Sequence, residues 1–346
     1  MSRSAPTSEA TLLSQADLDL VPHVFGPNRV SRRCPDATGR DYSVCFVKGK
    51  ACCGQKRNGP QYAPDLVLGE DFLGCVSALG WQPSTLDAIQ QFRPTPKEYT
   101  GRVHNSNCVS ATCDVVRQRM SEALAKATFA ILIGGDHCLS IGSIAATAQR
   151  FPNLVVLWFD AHADINTADT SMSGNMHGMP VAALLGLRGM EGIPGFEHAR
   201  FKAFDKTAIA YIGLRDVDDG EKETIRDLGI ETAFYMDTLN ALGIDDTLDM
   251  CLKKIDPDGN RPIHVSFDVD GMDPMDAPAT GTPVQRGVRL HEAVRMMQRI
   301  RDTGRLVSLD VMEVNPSLAK TQLEYETTVC NSRIIILEAL GRVGKS

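Results

Sequence analysis

Five short apolar runs punctuate the chain, and each ends in a polar cluster. They are AILIGGDH (130–137), VVLWFDAHAD (155–164), IAYIGLRD (209–216), HVSFDVDGMD (264–273) and LVSLDVMEV (306–314). Continuous β-branched and apolar residues bounded by Gly or Asp predict strands buried on both faces. Between them, SEALAKAT (121–128), SIGSIAATAQRF (140–151), EKETIRDLG (221–229) and LHEAVRMMQRIRD (290–302) carry helical spacing. Strand–helix alternation of this kind predicts a mostly parallel central sheet flanked by helices. Ligands of such sheets bind at the carboxyl ends of strands, which is where these polar clusters fall. No repeat, linker or composition break divides the chain. The expected architecture is a single α/β catalytic domain over residues 26–346, preceded by a flexible tail at 1–25. Segments 34–63 and 91–108, rich in Gly, Lys, Arg and Cys or in Pro and Asn, read as loops.

Composition narrows the function. The chain has 346 residues, 43% hydrophobic and 23% charged, with a formal net charge of −7. These values are those of an ordinary soluble protein and argue against a nucleic-acid footprint. No apolar run approaches the ~18 residues of a membrane span. The first twenty residues lack the basic start and apolar middle of a signal peptide. The expected compartment is the cytoplasm, with a mitochondrial presequence the weaker alternative. None of the ten cysteines sits in a CxxC pair, so reduced thiols are expected.

The chemistry starts in DAHAD. Side chains two apart share a face of an extended chain. If extension persists past Phe159, then Asp160, His162 and Asp164 converge, as do Asp268 and Asp270 in SFDVDGMD. His137 ends a third run after two glycines. Each of these charges would be costly to bury unpaired, and a cation removes the cost. Imidazole mixed with carboxylate suits Mn, Fe or Zn, and the carboxylate majority favours a harder ion such as Mn(II). Four Asp and two His exceed one tetrahedral site and suit two ions, a pair that lowers the pKa of a shared water. The competing reading of any one pair is polar loop chemistry. His177, in the Gly-flanked SGNMHGMP, is placed to shuttle protons. His264, inside a strand, reads as a hydrogen-bonded histidine.

GGDH, DAHADINT, SGNMHGMP, GLRDVDDGE, SFDVDGMDP, PATGTP and DVMEVNP, in that order, resemble the ureohydrolase superfamily, and within it the arginases. The resemblance runs from about residue 46 to about 335. It implies two Mn(II) ions per subunit, one held by His137, Asp160, Asp164 and Asp268, the other by Asp160, His162, Asp268 and Asp270. Asp160 and Asp268 would bridge. Asn166 and Ser173 would contact the α-carboxylate of arginine, Ser171 helping through water. Asp218 would meet the α-amino group, with Asn175 and Glu221 nearby. Glu313 would pair with the guanidinium, and Thr282 would line that end. The implied reaction is hydrolysis of L-arginine to L-ornithine and urea. Asp164 would move a proton to the leaving amine and His177 would exchange protons with solvent. The implied assembly is a homo-oligomer, a trimer before a hexamer. The alternatives are another ureohydrolase, such as one acting on agmatine or guanidinobutyrate, and a metal-loaded but idle regulatory homologue.

Two features depart from that pattern. Cys138 follows GGDH where Ser is usual, and inert burial is expected for it. The early glycine-rich loop reads CCGQKRNGP (52–60). Should Lys56 and Arg57 lie close to Cys52 or Cys53, a redox-sensitive pair among Cys34, Cys45, Cys52 and Cys53 at the mouth of the site is the alternative to the reduced, buried thiols expected.

Overall fold

The computed structural model describes residues 42–90 and 98–343. The proposed tail at 1–25 and Cys34 lie outside the described residues. Strand β1 (Ser43–Lys50) leads through a loop to α1 (Ala63–Val67) and α2 (Glu70–Ala78), then β2 (Gln82–Gln90). A hairpin of β3 (Tyr99–Thr100) and β4 (Val103–His104) precedes α3 (Ser106–Lys126). Next come β5 (Phe129–Ile133), α4 (Ser140–Arg150), β6 (Val155–Phe159), α5 (Pro180–Leu185) and β7 (Ile209–Leu214). Then follow α6 (Asp219–Leu228), β8 (Ala233–Tyr235), α7 (Met236–Ile255) and β9 (Ile263–Asp268). The chain closes with α8 (Leu290–Asp302), β10 (Leu306–Met312) and α9 (Gln322–Leu340).

Eight strands form one wholly parallel sheet in the order β2-β1-β5-β10-β9-β6-β7-β8. Every residue of β5, β6, β7 and β9 is buried, as continuous apolar runs require when helices cover both faces. One polar network is enclosed in that core. His264 on β9 sets Nε2 2.9 Å from Asp310 of β10 and Nδ1 3.1 Å from Thr147 of α4, and Ser143 donates to Asp310 at 2.5 Å. His264 is thus the hydrogen-bonded core histidine expected.

The order of the strands matters most for function. β5, β10, β9 and β6 are consecutive in the sheet, although far apart in sequence. All run the same way, so the residues following each strand emerge side by side at one edge.

Three expectations need correction. Residues 43–50, read as loop, form β1, whose Val44, Cys45, Phe46 and Val47 are buried between β2 and β5. Cys45 behaves there as a small hydrophobe, not as loop chemistry. In the second supposed loop, residues 99–104 form the hairpin and α3 begins at Ser106; residues 91–97 lie outside those described. SEALAKAT is only the last turns of the 21-residue α3. Among the described residues, no helix is long and apolar enough to cross a membrane.

Candidate metal centre and substrate site

The predicted ligands converge, but not by strand pleat. β6 ends at Phe159, and Asp164 turns back with φ 49°, a left-handed conformation that costs a non-glycine residue energy. Its carbonyl accepts from Val181 N at 2.9 Å, which fixes the turn. Period-two alternation does hold for Trp158 and Asp160: the indole Nε1 donates to Asp160 Oδ2 at 3.1 Å. The same indole stacks on the His137 ring at 4.2 Å.

Two groups have ligand atoms close enough to share a cation: His137, Asp160 and Asp164, and Asp160, His162 and Asp270. Asp160 belongs to both. His137 Nδ1 lies 3.1, 3.2 and 3.1 Å from carboxylate oxygens of Asp160, Asp164 and Asp268. None of the three is aligned as its hydrogen-bond partner, although the atom is fully buried. Its other nitrogen, Nε2, pairs with Ser266 Oγ at 2.9 Å. An imidazole held at one nitrogen, with the other facing three carboxylates, is the arrangement a cation ligand requires. His162 Nδ1 stands 3.3 Å from both Asp160 and Asp270. The donors therefore fit divalent cations of mixed nitrogen and oxygen preference.

Anion crowding perturbs the whole group. Burial, then the charge of Asp160, pushes Asp164 up to about 6. Burial, then Asp270 and Asp160, drives Asp268 well above the usual carboxylate range. Burial and Asp164 push Glu221 to about 8. Burial alone would depress His137 and His162, but the surrounding carboxylates raise both well above an ordinary histidine. All of these groups hold protons more tightly folded than unfolded. For Asp164 and Glu221 that contribution is present at about pH 4 and lost as pH rises through about 6 to 8, and Asp268, His137 and His162 act in the same sense. Asp160 is held low, against its own burial, by His137 and His162, and acts in the opposite sense only at lower pH. Chelator-treated protein should accordingly melt about 5 °C or more lower at pH 8.5 than at pH 5.5. A divalent cation, substituting for those protons, should abolish the slope. A melting temperature that climbs with pH in chelator would refute the assignment.

Glu313 follows β10 and sits fully inside the site with φ 64°. Its Oε1 accepts from His137 N at 2.9 Å and lies 3.3 Å from His177 Nδ1. Gln55 Nε2 lies 2.8 Å from Oε1 and 2.7 Å from Oε2. Burial would depress His177, yet the Glu313 carboxylate lifts it to about 9.

Apart from Thr282, the remaining predicted residues lie in the segments after β6 and β7. Asn166 Nδ2 donates to Asp218 Oδ2 at 2.8 Å, while Thr170 holds Asn166 Oδ1 at 2.8 Å. Asp218 also caps α6: it accepts from Glu221 N at 2.9 Å, and Glu221 Oε2 accepts from Asp218 N at 3.2 Å. That capping box was legible as D-x-x-E ahead of a helical pattern. Ser173 is exposed, its hydroxyl accepting from Asn175 N at 3.2 Å. Ser171 is buried and accepts from Gly174 N at 3.0 Å. Asn175 Oδ1 is buried and has no hydrogen-bond partner among the described residues. The β3–β4 hairpin clamps this loop, His104 N donating to Gly174 O at 2.9 Å. Thr282 stands apart from these, its hydroxyl donating to Asp270 Oδ2 at 2.7 Å.

Sequence reasoning missed Trp158, Ser266 and Gln55. Trp158 stands two residues before Asp160, which follows the end of β6, and Ser266 stands two residues before Asp268 on β9, a signal that was available. The redox expectation fails on burial. Cys45, Cys52 and Cys53 are each 1% exposed, whereas Lys56 and Arg57 face solvent. Cys53 packs into the interior against Thr112, 3.8 Å away. Burial raises the Cys45 thiol. All nine described cysteines are free thiols. Cys138 is buried as expected, its thiol donating to Asp136.

Comparison with known proteins agrees with this geometry. Residues 49–340 match the model of the Arginase family. An arginase of Eremothecium gossypii is 38% identical over 299 residues, covering 83% of this chain and 73% of that protein. The mitochondrial arginase-2 of Homo sapiens is 35% identical over 307 residues, covering 87% and 85%. A solved structure of the Entamoeba histolytica arginase in complex with L-ornithine matches with a TM-score of 0.74 and 30% identity, over 87% of this chain and 99% of that one.

Proposed function

Because the chain belongs to the Arginase family, we propose that it hydrolyses L-arginine to L-ornithine and urea, with two Mn(II) ions as cofactors. The observation that carries this reading is the pair of imidazole–carboxylate groups sharing Asp160, with the buried Glu313 anion beside them. His137, Asp160, Asp164 and Asp268 would hold one ion; Asp160, His162, Asp268 and Asp270 the other. Bound there, the ions supply Lewis-acid charge and lower the pKa of water. The protein's own groups do the rest. Glu313 binds the guanidinium as its counter-charge. Asp164, which burial and the neighbouring Asp160 carboxylate raise to about 6, carries a proton to the leaving amine. His177, partly exposed beside Glu313, exchanges protons with solvent. Thr282 fixes Asp270 through its hydroxyl and borders the guanidinium end.

Recognition of an amino acid, as opposed to a plain amine, falls to the other end. Asn166 and Ser173 donate to the α-carboxylate, and Ser171 supports it through water. Asp218 accepts from the α-ammonium, with Asn175 and Glu221 behind. Agmatine lacks the carboxylate, so Mn(II)-loaded protein should release urea from arginine in clear preference to agmatine. Urea from agmatine alone would overturn the substrate; urea from neither would favour an idle homologue. Asp218→Asn sharpens the test, because Asn caps a helix as well as Asp does while removing the charge. KM for arginine should rise about 10–100-fold with Mn(II) content unchanged. Loss of metal in equal measure would misplace Asp218.

The site needs no nucleic acid or membrane partner. We propose a homo-oligomer, a trimer before a hexamer, in line with family membership, and the cytoplasm before the mitochondrion as the compartment.

A further inference from the structure

Gln55 lies in the loop that follows β1, and its neighbours leave that loop little freedom. Asp136 N donates to Ala51 O at 3.0 Å. Asn105 Nδ2 donates to Cys53 O at 2.9 Å. Gly54 N donates to Asp136 Oδ2 at 2.7 Å, and Gly54 O accepts from His177 N at 3.1 Å. A Cβ on Gly54 would lie 2.8 Å from Cys138 Sγ, and one on Gly135 would lie 1.6 Å from Ala51 O. The loop is therefore pressed against the turn that carries His137. It delivers Gln55, 6% exposed, to the far side of Glu313.

The side-chain amide spans the carboxylate, with Nε2 2.8 Å from one oxygen and 2.7 Å from the other. Oε1 is then saturated, since the His137 amide and His177 address it too. Among the described residues, Oε2 accepts from Gln55 alone and keeps capacity for another donor. That oxygen borders Gly281, where even a Cβ would approach Oε2 to 3.7 Å and Gln55 Oε1 to 3.4 Å.

We propose that Gln55 is a positioning residue that fixes the plane of the Glu313 carboxylate, so that Oε2 receives the substrate guanidinium in the reactive orientation. This rests on the arginine-hydrolysing reading above. Orientation errors of about 1 Å at a reacting carbon cost on the order of 10²-fold in rate. The α-amino and α-carboxylate contacts, at the opposite end, are untouched by Gln55. A positioning role thus predicts a loss in kcat with little change in KM. Mere satisfaction of a buried carboxylate predicts loss of stability or metal instead.

The test uses the Mn(II)-loaded full chain and Gln55→Met, which keeps the volume and removes the donor. With arginine, kcat should fall about 10–100-fold while KM stays within about threefold. By calorimetry, the guanidinium ion should bind about threefold more weakly, in step with KM, whereas ornithine, which has no guanidinium, should bind as before. Metal content should be unchanged. Wild-type kcat and guanidinium affinity, an equal loss of ornithine affinity, or a loss of bound Mn(II) would each overturn the proposal. Should Gln55→Met fail to fold, Gln55→Glu, which sets an acceptor against Glu313, is read by the same measurements and should lose more. If the unaltered protein releases no urea from arginine, the functional reading fails separately. The guanidinium affinities of the two proteins still decide the role of Gln55.

Discussion

Asp160→Asn will lower kcat/KM for urea release by about 10⁴-fold, roughly 5 kcal/mol of transition-state stabilisation, and reduce bound Mn(II) below one ion per chain. Asp160 is common to both close groups of ligand atoms, so its loss weakens two sites at once. The near-isosteric amide is no substitute. Oδ1 accepts from His162 N at 2.7 Å and Oδ2 accepts from Trp158 Nε1 at 3.1 Å. An asparagine must turn its NH2 toward one of those donors, so either the His162 backbone or the Trp158 indole loses its acceptor. Trp158 stacks on His137, so the disturbance reaches a third ligand. Elemental analysis after gel filtration, with steady-state assays in excess Mn(II), checks both parts. Two retained ions with activity within tenfold would contradict the shared role of Asp160.

The amino-acid pattern reveals the strands that matter and hides how they combine. Runs such as VVLWF and IAYIGL are legible because both faces are buried, and the polar residues after them stand out against that background. Nothing local in LVSLDVMEV says that β10 lies between β5 and β9, yet that placement sets Glu313 beside His137. β1 stayed hidden because SVCFVKGK mixes cysteine, lysine and glycine, and its apolar half reads as a strand only once flanked by β2 and β5. The convergence of Asp160 and Asp164 was expected for the wrong reason. A strand would have aligned them by alternation, whereas a left-handed turn at Asp164 achieves it.

The glycine-rich loop 52–60 shows the same limit from the other side. Its cysteines and basic residues drew attention as reactive chemistry. The fold buries the thiols and leaves Lys56 and Arg57 in solvent. What the loop brings to the site is a neutral amide, Gln55, whose importance depends wholly on a carboxylate 258 positions later in the chain. Neutral residues of this kind carry no charge or ligand signature, so only tertiary structure exposes them.

Glu313→Gln should lower kcat/KM for arginine by about 10³-fold, near 4 kcal/mol, with two Mn(II) ions retained. The groups that address the Glu313 oxygens are donors or a cation: the His137 amide and His177 at Oε1 and Gln55 across both oxygens, to which the proposed function adds the guanidinium of the substrate. An amide offers one carbonyl to that ring and sets its own NH2 against the rest, while the counter-charge for a buried cation disappears. The substitution also reports on His177. Burial alone depresses that imidazole, and the Glu313 carboxylate is what lifts it to about 9. With the charge gone, His177 should titrate clearly below 9, only Asp164 and Asp136 still raising it, and histidine NMR on chelator-treated protein would register the drop. The paired readout separates two losses. A fall in rate without a His177 shift would mean that Glu313 acts on the substrate alone. A His177 shift with near-normal turnover would mean that the carboxylate is there for the histidine, and that the guanidinium is bound by other groups.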